Sequence, residues 1–119
     1  MPANTIKVED WAGKDRELKY DINALADLEK ALGYPITRIS ADPLLVGIVA
    51  MRCIVWAGLK RGDRKMTVEK AGDLIQKWVD AGRKLGKLFD FFQEGMKMAG
   101  LVEDDDEEEE GDGKDSDPT

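Results

Sequence analysis

Among 119 residues, few groups can do bond-making chemistry, and the gaps narrow the function first. The chain has no His and a single Cys, Cys53. That removes histidine general-base catalysis, a Cys/His nucleophilic pair, an intrachain disulfide and a zinc site of nitrogen and sulfur ligands. Carboxylates remain, and Asp21 with Asp27 or Asp73 with Asp80 are the pairs that could serve as acid and base. Each falls at helical positions expected to face solvent, and no nucleophile motif accompanies them, so they read as surface charge. No catalytic residue, metal ligand or cofactor is nominated, and the protein is expected not to be an enzyme. The basic run Lys60, Arg61, Arg64 and Lys65 lacks a glycine-rich phosphate cradle and interleaved aromatics. It reads as a solvated loop between helices and gives no reason to expect nucleic acid.

The more informative cluster is aromatic. All three Phe, Phe89, Phe91 and Phe92, fall within four residues, followed by Met96 and Met98. Leu85, Phe89, Phe92, Met96 and Ala99 recur at alternating spacings of four and three, with Leu88 on the same face, which makes an amphipathic stripe, and Phe91 widens its arc. A wide apolar arc with internal glycines and an adaptable Met-rich end suits docking of another chain. Leu85, Leu88, Phe89, Phe91, Phe92 and Met96, with Trp78 from the preceding helix, are therefore the candidate partner-binding residues. Their other use is to complete the core of a small domain.

The net charge of −7 is divided unevenly. Residues 102–119 hold 11 acids and one Lys, including eight consecutive acids from Glu103 to Glu110. Residues 1–101 carry a balance of +3. Such a run cannot bury enough apolar area to offset chain entropy, so 102–119 is expected to be a disordered acidic tail behind one domain over 1–101. Residues 51–101 balance +5. The acidic run reads first as a solubilising tail with no specific partner; eighteen flexible residues reach roughly 20 to 25 Å, so loose, reversible shielding of that basic half is the alternative.

The elements that hold these residues follow from the hydrophobic period. Ile6 and Val8, then Leu18 and Tyr20, alternate with polar residues around Gly13 and predict a short hairpin. From Asp21 the period changes to about three and a half. Asp21 or Asn23 caps a helix with the stripe Ile22, Leu25, Leu28 and Leu32, stopped by Gly33 and Pro35. Asp42 and Pro43 start a second, nearly all-apolar helix that runs to Ala57 with Gly58 as its cap, and Gly47 inside it signals close approach of another backbone. Thr67 caps a third helix through Trp78 to about Gly82, and a fourth covers about Lys84 to Ala99. Gly86 and Gly95 should make that fourth helix the least stable unless something packs on it. The expectation is a mainly α protein: a hairpin, a compact bundle of about four helices and the acidic tail. The apolar stretch Leu44 to Leu59 is too short to cross a bilayer and contains Arg52, so no membrane role is expected. Met1 to Asp10 has neither the basic stretch nor the apolar run of a targeting segment, which favours the cytosol.

Three blocks carry a resemblance. The segment from Asn23 to Gly33, the run Val55-Trp56-Ala57-Gly58-Leu59-Lys60 and the segment from Met66 to Ile75 resemble, in order and spacing, the tail assembly chaperones of long-tailed bacteriophages and gene transfer agents. The resemblance covers about Leu18 to Trp78 and stops short of the aromatic helix and the tail. It implies a non-enzymatic protein of the host cytoplasm, absent from the finished virion. Such a protein holds the tape measure protein soluble and helps recruit tail tube subunits, in some relatives through a longer frameshifted form. Gly113-Lys114 is compatible with a slippery purine run in the gene. Many weak copies suit such a task, so self-association is a further expectation. The competing readings are a small head-to-tail adaptor retained in the particle and a decoy whose acidic tail binds a basic host protein.

Overall fold

The computed structural model describes residues 5–41 and 46–100. The chain opens with an antiparallel hairpin, β1 (Thr5–Trp11) and β2 (Lys14–Lys19), and continues as helices α1 (Ile22–Leu32), α2 (Ile36–Ala41), α3 (Ile48–Leu59), α4 (Val68–Asp80) and α5 (Leu85–Met98). The switch from period two to period three and a half therefore marks the true change of structure. The acidic segment 102–119 and the helix start foreseen at Asp42 and Pro43 lie outside the described residues.

In the hairpin Ile6 faces Leu18 and Trp11 faces Lys14, with a bulge between Val8 and Trp11. Ala12 and Gly13 both take positive φ, 56° and 91°, the geometry of a two-residue turn that matches strand twist. The bulge re-aims Trp11, which the alternation did not include, into the core. Its side chain is fully buried, its indole N–H donates to the Leu74 carbonyl at 2.9 Å, and its ring meets Trp78 edge-on at 5.3 Å.

The helix signals hold at most ends. Asp21 accepts from the Ala24 amide at 2.8 Å, Thr67 accepts from the Lys70 amide at 3.0 Å, and Gly33 closes α1 in the left-handed region at φ 87°. Three expectations need correction. A fifth helix, α2, follows Pro35, where the sequence suggested only a stop. Gly47 is extended and precedes α3, so it lies outside the helix in which it was placed. Gly58 lies inside α3, which continues to Leu59, and caps nothing.

Eight of the twelve residues of α3 are buried, so it is the central element its all-round apolarity predicts. Its first turn departs from that pattern, because Ile48 and Val49 are exposed. The hairpin is keyed to α3 and α5 through Tyr20. This ring is fully buried, donates its hydroxyl to the Ile54 carbonyl at 2.8 Å and lies edge-on to Phe92 at 5.2 Å. A Cβ added at Gly58 or at Gly95 would stand 2.6 Å from a Tyr20 ring carbon. Both glycines are absences of side chain that make room for one ring. That ring is also what packs on the glycine-weakened α5.

Candidate functional site

The aromatic helix divides its residues between core and surface. Leu88, Phe92 and Met96 are at most 1% exposed, and Trp78 is 4% exposed. The partner-binding role assigned to Leu88, Phe92 and Met96 is therefore corrected: these side chains already complete the core, and no partner reaches them in this conformation. Leu85, Phe89 and Phe91 are half-buried and pack against that core.

Trp78 and Phe91, edge-to-face at 6.1 Å, line an open groove of about 830 Å³. Lys7, Val8 and Glu9 of β1 form one wall, and Gly86, Lys87 and Asp90 of α5 form another. Arg83 and Lys84, from the turn between α4 and α5, close one side. Arg83 builds this wall. Its guanidinium stacks 4.4 Å from the Trp78 centroid and donates to the carbonyls of Asp10 at 2.9 Å and Glu9 at 3.0 Å. The Trp78 indole N–H donates to the Lys84 carbonyl at 2.8 Å, which fixes both the ring and the turn. Lys87 stands 5.5 Å over the Phe91 ring. Gly86 faces open space, with no atom within 4 Å of where a Cβ would stand.

The groove is electropositive. It holds Lys7, Arg83, Lys84 and Lys87 against Glu9 and Asp90. Arg83 is bonded to neutral carbonyls, which leave its charge uncompensated. Among the described residues Arg83, Lys84 and Lys87 form no ion pair, and Lys7 reaches Asp15 only at 3.7 Å. The first turn of α5 carries no acid and no side-chain cap, so the positive end of the helix dipole adds to this field. The aromatic floor and cationic rim suit an acidic chain with some apolar character.

The cationic part of the site escaped sequence reasoning, although Arg83, Lys84 and Lys87 were visible as a cluster. Their meaning depends on Lys7, which is distant in sequence, and on Trp78 lying beneath them.

A second basic region behaves differently. Lys60 pairs with Asp27 at 2.8 Å and Arg61 with Asp21 at 3.0 Å, tying the end of α3 to α1. Asp21 and Asp27 are thus half-buried and engaged, whereas free surface charge was expected. Asp73 and Asp80 are exposed, and Asp80 accepts from Gln76 at 2.9 Å. Among the described residues no group of three or more His, Cys, Asp or Glu could hold a metal ion. No described helix is long and apolar enough to cross a membrane. Burial pushes the Cys53 thiol above its ordinary value, against a smaller opposing pull from Arg52. Compared with protein-family models, curated proteins and solved structures, the chain matches none.

Proposed function

We propose that this protein is a phage tail assembly chaperone. It holds the tape measure protein soluble in the host cytoplasm, helps recruit tail tube subunits, and leaves before the virion is complete. One observation carries the reading: the three separated blocks that resemble this family meet in space. Asp27, from the first block, pairs with Lys60 of the second. Lys60 lies 4.5 Å over the ring of Trp56, whose indole N–H donates to the carbonyl of Met66, in the third, at 3.2 Å. A resemblance spread over three helical patterns thus corresponds to one connected polar and aromatic tie between α1, α3 and the entry to α4.

A holding function asks for an accessible surface that binds without chemistry. The groove over Trp78 and Phe91 supplies one, and the exposed Ile22, Ile48 and Val49 add apolar area elsewhere. Co-expression with a tape measure chain tests the reading. The client should move from the insoluble to the soluble fraction and co-purify with this protein. A client that stays insoluble, or abundant copies of this protein in purified virions, would overturn it; the latter outcome favours the head-to-tail adaptor.

A further inference from the structure

We infer that the groove over Trp78 and Phe91 is the docking site of the chain's own acidic run, Glu103 to Glu110. Charge selects this groove over the other basic region. At the Lys60 and Arg61 side, two of the four cations of the basic run are already paired with Asp27 and Asp21, which leaves Arg64 and Lys65. At the groove, Arg83, Lys84 and Lys87 have no carboxylate partner among the described residues.

Length permits the contact. The described chain leaves α5 at Met98, and Lys87 lies about 16 Å back along the helix at 1.5 Å per residue. Ala99 and Gly100 continue the helical turn, so the span back from Gly100 is about 20 Å, and at about 3.3 Å per extended residue the acids from about Asp106 onward cover it. Tethering raises the effective concentration of a short flexible segment to the millimolar range, so a contact too weak to hold a free peptide is populated within one chain.

Both halves of this contact belong to one protein, so it stands whatever the client is. Its consequence is competition: an acidic client segment must displace the run, and a client lacking acids meets a groove already screened.

The test compares amide and Trp indole NMR spectra of two full-length proteins. One is unaltered, and the other has every acid from Glu103 to Glu110 replaced by its amide. Differences should concentrate at Lys7, Gly82 to Lys87, Phe91 and the Trp78 indole. They should be independent of protein concentration and vanish in 1 M NaCl, where screening acts within about 3 Å. Adding Lys84→Gln and Lys87→Gln to the unaltered tail should remove most of them. Identical spectra at low salt, differences centred on Lys60 to Arg64, or differences that fade on dilution would each overturn the proposal. The last outcome would assign the run to a neighbouring copy.

Discussion

Two glycines on one helix should respond to the same substitution with opposite signs. On intrinsic propensity alone, Gly→Ala in a helix interior stabilises by about 1 kcal/mol. At Gly95 the new methyl would lie 2.6 Å from Tyr20 Cδ2 and 3.2 Å from its Cβ. The ring has little room to retreat. Gly58 of α3 closes its far side, its hydroxyl is bonded to the Ile54 carbonyl, and Phe92 lies edge-on to it. Overpacking of a tight core costs about 1–3 kcal/mol, and a 2.6 Å contact with a ring held on its other sides takes the upper part of that range, about 2–3 kcal/mol, which outweighs the propensity gain. Gly95→Ala should therefore destabilise by about 1–2 kcal/mol, lowering Tm by about 4–16 °C for a domain of this size. Gly86→Ala adds its methyl to open space and should stabilise by about 0.5 kcal/mol, since the first helical turn realises only part of the propensity. Urea unfolding of both variants beside the unaltered protein measures the difference. A Gly95→Ala protein as stable as the original would refute the account of Tyr20 as a ring held between two helices.

The buried Tyr20 phenol also sets a pH response. Burial pushes its ionisation well above the ordinary value near 10, so its contribution is fully present below about pH 10 and is lost above it, where the unfolded chain ionises first. Tyr20→Phe should cost about 1 kcal/mol at pH 8 and should fall less steeply than the original between pH 9 and 11; parallel curves from urea titrations would contradict this. Arg83→Ala removes two hydrogen bonds to β1 and the stack on Trp78, and should cost about 0.5–1 kcal/mol, the partial exposure of the site keeping the effect small. Arg83→Lys should not restore the loss, because an ammonium lacks the planar fork that reaches two carbonyls while stacking; recovery of full stability on denaturation would show that charge alone matters.

The order of elements was legible because burial imposes period two on the hairpin and period three and a half on the helices. Caps were legible because Asp21, Thr67 and Gly33 act on their own neighbours. The short α2 was missed because six residues after Pro35 offer too little periodicity to distinguish a turn from a helix. The start of α3 was misplaced because a favourable Asp-Pro pair says where a helix can begin and cannot show that Gly47 stays extended. The candidate site was half legible: Trp78 and Phe91 were selected by type, while the cations around them were not.

By itself, the sequence determined the absence of histidine and disulfide chemistry, the division of charge between body and tail, and the alternation of apolar residues. These are properties of composition or of neighbours within a turn or two. Only the tertiary structure decided that Leu88, Phe92 and Met96 are core, that the half-buried Phe91 lines a groove, and that Trp78 is a core residue at the floor of that groove. It also decided that Gly58 and Gly95 face the one Tyr20 ring, and that Lys7 joins Arg83 and Lys87 around the groove. A helix stripe shows which side chains avoid water but not what covers them. That depends on contacts between residues as distant as Trp11 and Leu74, or Tyr20 and Ile54, which no local spacing encodes.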